Sequence, residues 1–425
     1  MAVSRLGLLR EHDFRQLFFA DTISQIGTQV TMLALPLVAV LALQATPLEM
    51  GLLATCETAA FAVLTLPAGA WVDRMRRRSV LIAGDLGRAL VLGSVPVAWW
   101  AGVLTMAQLY VVALVAGTLT VFFDVAYQSY LPHLVGKEHL VEGNSKLEVV
   151  RNVTQIGGPA AAGFAVQVLT APVAVIADAI SYLGSALFVG LIRKREDKPV
   201  RGPEANLVRE IVEGLRFVFG NRLLRSIAAC TGSSNLCSAI TFSMAILFFV
   251  RVLGLSPGTI GVIFSIGAVG GLLGAFLASP VVRWLGQGPT IWISAVVFGV
   301  SGLLFPLAQR GWLLYLAVFG FVMAGIAVVV YNVTQVSFRQ GLTPDRLLGR
   351  MNATMRFLVW GTMPLGGLIG GILGSSPLGI RGTLWVGAIG GMLTFLPVFF
   401  SPLRTMRELP RGVEEDQASP APTAA

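Results

Sequence analysis

Long runs of apolar residues, separated by short polar connections, fill most of the chain between residues 14 and 400. A helix that crosses a bilayer needs about 20 consecutive apolar residues. Twelve runs approach or exceed that length, and we place them at 14–43, 48–72, 80–101, 106–130, 147–168, 172–192, 224–252, 259–282, 290–307, 312–338, 347–373 and 382–400. Inside hydrocarbon only helices and closed barrels satisfy every backbone polar group. Because the runs lack the alternation of barrel strands, the sequence predicts an all-α integral membrane protein with 12 transmembrane helices.

The longest polar interruption divides these predicted helices into six and six. Within it, apolar residues recur at helical spacing among charged ones, which indicates a helix on the inner membrane surface: Leu207, Ile211, Leu215, Val218. The division predicts an N-terminal six-helix bundle (1–192), a cytoplasmic linker with an amphipathic helix (193–223), a C-terminal six-helix bundle (224–401) and a tail that we expect to be disordered (402–425).

The two halves repeat one another. Pro47 and Gly51 open the second run, and Pro257 and Gly261 open the eighth run 210 positions later. Two other pairs keep the same offset: Pro96 with Pro306, and Gln25 with Asn235. A duplicated helical unit with parallel halves is a transporter architecture, so the repeat favours two pseudo-symmetric bundles.

Charge supports a membrane location. Hydrophobic residues make up 55% of the 425 residues and charged residues only 12%, against about 25% charged in soluble domains. With the N-terminus in the cytoplasm, 25 of the 31 Lys and Arg residues fall in cytoplasmic segments, as the positive-inside rule requires. This distribution accounts for the net charge of +9 without a nucleic-acid partner. It predicts a multi-pass protein of the cell (inner) membrane with both termini cytoplasmic.

The connection between the second and third runs, 69–78, reads GAWVDRMRRR. It resembles the signature of the major facilitator superfamily between helices two and three, which has a glycine, an Asp-Arg pair four residues later and then a basic pair. The matching residues are Gly69, Asp73, Arg74, Arg77 and Arg78, and Arg76 stands where a second glycine is usual. The likeness to the superfamily covers nearly the whole chain except its tails. Together with DLGR at 85–88, DVAYQ at 124–128 and GGP at 157–159, this connection resembles the superfamily's branch of drug, macrolide and siderophore proton antiporters.

This resemblance implies a secondary active transporter that exports small amphipathic organic molecules, coupled to proton influx by alternating access. The expected partners are the lipid bilayer, a small-molecule substrate and protons, and we expect a monomer. The alternatives are uptake or lipid flipping by the same fold, and a non-transporting membrane sensor or assembly factor. The sequence has no phosphate-binding loop or catalytic cluster, and its three Cys and three His show no metal-site spacing. We therefore expect no enzyme, metal or cofactor, and the proton-motive force as the energy source.

A cytoplasmic gate is implied by the same resemblance. Asp73 would sit against the N-terminus of helix eleven, where the helix dipole favours a carboxylate, and Gly69 would let helix two approach a neighbour closely. The alternative for Asp73 is a solvated surface ion pair of little energetic value. Besides the matching residues of 69–78, we assign to the gate two pairs spaced three apart in helices three and five and one arginine in helix eleven: Asp85, Arg88, Glu148, Arg151, Arg356.

Charges inside a bilayer are costly and mark functional candidates. All acids within the predicted spans lie in the first half: Asp21, Glu57, Asp85, Asp124, Glu148, Asp178. Glu57 lies near mid-depth, with no cation nearby in sequence, and desolvation favours the neutral form of such a carboxyl. Glu57 is therefore the first proton-coupling candidate, followed by Asp21 and Asp124. The alternative for Glu57 is a permanently neutral group that bonds two helices.

Helices one, four, seven and ten line the central cavity in the superfamily. Here they carry polar stripes at helical spacing, which we predict to line a substrate cavity: Gln25, Gln29, Tyr127, Gln128, Asn235, Tyr331, Asn332, Gln335. The alternative role for these side chains is hydrogen bonding between helices.

Overall fold

Helices follow the predicted apolar runs in the computed structural model, which describes residues 7–72, 74–194, 196 and 207–408. They are α1 (His12–Leu37), α2 (Pro47–Val72), α3 (Arg77–Trp100), α4 (Met106–Val135), α5 (Leu140–Leu169), α6 (Ala171–Gly190), α7 (Leu207–Gly220), α8 (Arg222–Leu247), α9 (Pro257–Leu285), α10 (Gln287–Leu303), α11 (Leu313–Gly341), α12 (Asp345–Trp360), α13 (Thr362–Ser375), α14 (Gly379–Leu393) and α15 (Leu396–Phe399). No strand occurs in the described part of the chain. The predicted all-α membrane fold is confirmed.

Ten helical segments of the described chain are long and apolar enough to cross a membrane. They correspond to ten of the twelve predicted spans. Of the other two, α10 is a shorter apolar helix of 17 residues. The remaining one, α5, has 30 residues but carries four charged residues in its first half: Glu142, Lys146, Glu148, Arg151. For these two helices, membrane crossing stays a prediction.

The entry into α2 is fixed by its own side chains. The Thr46 backbone N–H and hydroxyl both donate to Glu49 Oε2, at 2.7 and 2.8 Å, and the Glu49 N–H donates back to Thr46 Oγ1 at 3.3 Å. This reciprocal capping box satisfies donors that a helix start leaves open. Pro47 follows at the first helical position, where its missing N–H is harmless.

The same irregular turn precedes α2 and α9. Val38–Ala42 and Phe248–Val252 each form a π-helical turn, a rare form that inserts an extra residue into a helix. Their closing bonds correspond at an offset of 210 positions: Leu43 N–H to Val38 O (3.2 Å), and Leu253 N–H to Phe248 O (2.9 Å). The repeat predicted from the prolines is therefore present in the backbone as well.

The chain packs as two units. The first comprises Met1–Pro203, Ala239–Ala268 and Met363–Leu384. One of its core clusters lies around α1, α4 and α6, with Phe14 and Tyr130 fully buried. The predicted division at residues 192 and 224 follows the sequence repeat rather than these packing units, and it stays a prediction.

The second unit comprises Glu204–Ser238, Val269–Thr362 and Trp385–Ala425. Its core cluster joins apolar side chains of α8, α10, α11 and α12, among them Phe338 and Met355. Within this unit α10 and α11 lie side by side along their lengths.

Helix α7, predicted as an amphipathic linker helix, packs on α12 of the second unit. Val218 is fully buried in that unit's core, and the Arg350 guanidinium donates to Glu213 Oε2 at 2.6 Å. A side chain at Gly214 would meet the Thr354 hydroxyl and the Arg350 carbonyl. The buried part of its apolar face is therefore covered by protein rather than by the membrane surface.

Part of the predicted disordered tail is ordered. Pro402–Thr405 form a 3₁₀ turn with Leu403 fully buried, and the N–H groups of Gln287 and Gly288 donate to the carbonyls of Arg407 and Met406 at 3.1 and 2.8 Å. The expected start of disorder at residue 402 is thus wrong, because this segment caps the start of α10. Residues 409–425 lie outside the described residues.

Candidate functional site

A polar cluster inside the first unit joins α1, α4 and α5. The Asp21 carboxyl, only 8% exposed, lies close to the side chains of Gln25, Tyr127, Asp124 and Arg151. The cluster brings together two of the three proton-coupling candidates and two cavity candidates with an arginine that we had assigned to the gate. The cluster contains two carboxyls and one guanidinium, so the uptake of one proton by a carboxyl changes its net charge by one unit.

A cavity of ≈ 560 Å³ opens beside this cluster in the first unit. Tyr127, Glu148 and Arg151 line it together with Asn144, Leu147 and Asn152. Glu148 and Arg151 form the predicted pair at 3.5 Å, each about half exposed. The cavity therefore has a mixed wall of charged, amide, aromatic and aliphatic groups.

Glu57 stands apart from that cluster on α2. Its side chain is half-buried, and its backbone carbonyl faces Gly117 of α4, where an added Cβ would lie 3.0 Å from it. Among the described residues no hydrogen bond or ion pair holds the Glu57 carboxyl. The helix-bridging alternative for Glu57 is therefore not seen in this structure, and its proton-coupling role stays a prediction.

The other stripe residues of the first half differ in exposure. Gln29 is half-buried and its aliphatic stem packs against Gly158 of α5, whereas Gln128 is exposed on α4. Both positions are compatible with a polar path along α1 and α4.

In the second unit, several stripe residues bond helices to one another. Asn235 Nδ2 donates to the Val359 carbonyl at 3.1 Å. The Tyr331 hydroxyl lies 2.6 Å from Thr231 Oγ1 and is buried. These contacts fit the interhelical alternative for Asn235 and Tyr331.

Two further residues of α11 lie next to one another. Gln335 is 3% exposed, and its Nε2 donates weakly to Asn332 Oδ1 at 3.4 Å. Asn332 is exposed. A cavity-lining role is therefore most compatible with Asn332.

The basic connection binds the end of α6 within the first unit. The Arg78 guanidinium donates to the carbonyls of Val189 (3.2 Å) and Gly190 (2.5 Å), as expected for a cation at a helix C-terminus. The backbone N–H of Arg78 donates to Glu196 Oε2 at 3.2 Å, and the Arg77 guanidinium lies 3.7 Å from the same carboxylate. Glu196 was not predicted, because no sequence spacing links it to residues 77 and 78.

Other gate residues are less constrained. Arg74 is exposed, and Asp73 lies outside the described residues. The close approach expected at Gly69 is not seen, because a Cβ there would meet none of the described atoms within 4 Å. In the second unit, the Arg356 guanidinium lies 5.8 Å from the centre of the Trp360 ring.

Asp85 and Arg88 form their predicted pair, but deep inside the first unit. Arg88 Nη2 donates to Asp85 Oδ1 at 2.6 Å, with both side chains almost fully buried. The guanidinium is sandwiched between the rings of Phe123 (4.3 Å) and Tyr182 (4.2 Å). This position makes the pair part of the helix packing rather than of a solvated cytoplasmic surface. Removing one member of such a pair costs about 3–5 kcal/mol.

Two glycine contacts, which we call the glycine seams, join helices of the first unit. In one seam Gly51 of α2 lies against Gly367 and Gly371 of α13, and the Thr55 hydroxyl donates to the Pro364 carbonyl at 3.0 Å.

In the other seam Gly163 of α5 lies against Gly261 of α9. The Ala160 N–H donates to Ser265 Oγ at 2.9 Å, and the Gly258 N–H donates to Gln167 Oε1 at 3.1 Å. The repeat-related residues Gly51 and Gly261 thus lie at the centres of two equivalent seams.

Comparison with known proteins identifies the superfamily to which this architecture belongs. Residues 17–361 match the Major Facilitator Superfamily. The chain belongs to this superfamily. It is a multi-pass membrane transporter, a class without enzymatic activity, and its members act on small-molecule substrates.

The chain is 28% identical over 410 residues to the multidrug efflux pump Tap of Mycolicibacterium fortuitum, covering 92% of this chain and 96% of Tap. It is 27% identical over 423 residues to Tap of Mycobacterium tuberculosis, covering 96% and 97%. A bacterial homologue of the iron transporter ferroportin, solved in an inward-facing state, shares the fold with a TM-score of 0.74 at 15% identity, over 92% of this chain and 98% of the homologue.

Proposed function

We propose that this chain exports small amphipathic organic molecules and is driven by proton influx through alternating access. The observation that carries the proposal is its similarity, over nearly the full length of both chains, to proteins described as multidrug efflux pumps. The mixed lining of the cavity beside Asp21 supports it, because the Tyr127 ring and the aliphatic side chains of Leu147 and Val149 lie beside polar and charged groups, as an amphipathic ligand requires.

Proton coupling is assigned to the carboxyls of the first unit. When the Asp21 carboxyl takes a proton, its attraction to Arg151 weakens and the charge of the cavity wall changes. Glu57 offers a second acceptor, with no hydrogen bond or ion pair in the described chain that would hold it in the charged form. Both stand on helices whose surroundings would change between the two states of alternating access.

Transport into inverted membrane vesicles tests the direction and the coupling. With an acidic lumen, vesicles that contain the chain should accumulate a dye or drug, and collapse of the gradient should release it. Glu57→Gln and Asp21→Asn should reduce this uptake, whereas Glu138→Gln, at an exposed acid, should not. Uptake that is unaffected by the pH gradient would contradict proton coupling. Accumulation of the dye in right-side-out vesicles would indicate import. Transfer of a labelled lipid to the other leaflet without dye transport would indicate lipid flipping. Absence of transport for every substrate tested would favour the non-transporting sensor or assembly factor.

We also propose that the chain lies in the cell (inner) membrane with both termini cytoplasmic. The excess of Lys and Arg in the connections on that side supports this orientation. A reporter enzyme that is active only outside the cytoplasm should be inactive when fused after residue 408 and active when inserted after Gly102, between α3 and α4. The reverse pattern would overturn the orientation.

A further inference from the structure

Three ionisable side chains meet in the interior of the first unit, on α3 and α6. Asp85 and Asp178 are 0% exposed and Arg88 is 3% exposed. Arg88 donates to Asp85 Oδ1 at 2.6 Å, so its charge is committed to Asp85. Asp178 is left without a cation of its own.

The groups that face Asp178 are otherwise neutral. Ser181 Oγ on α6 donates to Asp178 Oδ1 at 2.9 Å, and the Thr31 hydroxyl of α1 lies beside it. The Tyr182 hydroxyl bonds with Thr28 of α1 at 3.0 Å. In the described part of the chain, the charged or titratable groups near Asp178 are Asp85, Arg88 and Tyr182.

Space for Asp178 is made by a glycine of α1. A Cβ at Gly27 would collide with Ser181 Oγ and Asp178 Oδ1. At the position of Gly27, α1 therefore approaches the carboxyl with its backbone. On the α4 side, Arg88 is covered by the Phe123 ring and approaches the Thr120 hydroxyl at 3.5 Å. The site has almost no opening to solvent at its three ionisable side chains.

The balance of charge in such a closed site determines how many of its carboxyls are ionised. Two carboxylates beside one guanidinium would leave one uncompensated negative charge in a low-dielectric interior, which is very unfavourable, and two neighbouring carboxyls do not both ionise in such a place. The second oxygen of each, Asp85 Oδ2 and Asp178 Oδ2, is buried with no hydrogen-bond partner in the described chain. The hydroxyls of Thr31 and Ser185 lie next to these carboxyls and have no other partner in the described chain. A hydrogen on the Asp178 carboxyl would have the Thr31 hydroxyl oxygen as its acceptor.

We propose that this cluster is a proton-binding site, in which Asp178 carries one proton and Asp85 is the ionised partner of Arg88. It is separate from the cluster at Asp21 and from Glu57, and it does not depend on which substrate the chain exports. The proton is released only when α1 and α6 move apart.

Infrared spectroscopy of the purified full-length chain in detergent tests the proposal, because a protonated carboxyl has a carbonyl stretch apart from the carboxylate bands. At neutral pH the wild type should show this band, and Asp178→Asn should lose the part of its intensity that comes from Asp178, while any contribution from Glu57 or Asp21 is kept. Asp85→Asn should lose the same part, although Asp178 is still present, because Asp178 must then ionise to balance Arg88. The exposed variant Glu138→Gln should keep the band.

Melting temperature against pH gives a second reading. The wild type should lose stability as the pH rises above the ordinary aspartate pKa, until the proton has left Asp178, and Asp178→Asn should not share that loss. A band of unchanged intensity in Asp178→Asn, or in Asp85→Asn, would overturn the proposal. Stabilisation of the wild type by NaCl at fixed ionic strength, absent in Asp178→Asn, would also overturn it, since Na⁺ would then balance the site.

Discussion

The glycine seam between α5 and α9 gives the sharpest test of how this chain is packed. In Gly163→Ala the new methyl group would collide with the Pro257 carbonyl and lie 3.1 Å from the Gly261 Cα. These are backbone atoms, which cannot rotate away as a side chain would. Relief requires the helices to separate, which would stretch the hydrogen bonds that flank the contact.

Gly157→Ala on the same helix is the matched control. Gly157 is exposed and its Cβ would meet none of the described atoms within 4 Å. Both substitutions gain up to ~1 kcal/mol of helix propensity, but only Gly163→Ala pays for overpacking, about 1–3 kcal/mol. The two variants should therefore differ by roughly that overpacking term, a factor of ~5 to 160 in the population of the closed seam.

Thermal unfolding of the two purified variants in the same detergent measures this difference. We expect Gly157→Ala to melt at or above the wild-type temperature and Gly163→Ala clearly below it. Equal melting temperatures for the two variants would mean that α5 and α9 do not approach as closely as described.

Gly214→Val should weaken the packing of α7 on α12 by about 1–3 kcal/mol through overpacking, and so lower the melting temperature. Gly220→Val should not, because Gly220 faces open space among the described residues. Equal melting temperatures for the two variants would contradict the packing of α7 on α12. Asp73→Asn should leave the protein in the membrane but slow efflux by roughly 2- to 30-fold, the value of a carboxylate at a helix N-terminus. Normal efflux at equal expression would contradict the predicted role of Asp73 in the cytoplasmic gate. The Leu8 N–H, which donates to Glu142 at 2.9 Å, holds the pKa of that carboxyl below its usual range. This tether is therefore complete above the ordinary glutamate pKa and is lost as the pH falls below it, so amide exchange at Leu8 should be faster in Glu142→Gln than in wild type at neutral pH, with the difference vanishing in acid.

The sequence was sufficient for the helices, the repeat and the superfamily because these depend on patterns along the chain. Apolar runs set the helices, and the paired prolines at 47 and 257 set the repeat. The Asp85–Arg88 and Glu148–Arg151 pairs were also predictable, since residues three apart share a helix face.

The depth of individual side chains, and the direction in which each helix face points, were harder to predict. A uniformly apolar helix has no polar side to show which face is buried, so the burial of Asp85 and Asp178 was not evident. Contacts between distant segments, such as Glu196 with Arg78, leave no trace in local spacing. Tyr331 and Asn235 illustrate a third limit, because a polar side chain on a helix suits a wet cavity and a dry hydrogen bond equally well.

The π-helical turns at Val38–Ala42 and Phe248–Val252 bear on the history of the chain. Two independent insertions would have had to strike equivalent sites in two separate gene segments to produce them. A single event in an ancestral half, copied when that half was doubled, accounts for both. The wide turn is then older than the full-length transporter, and it was inherited in duplicate by a molecule whose predicted spans now carry acidic residues only in the first half.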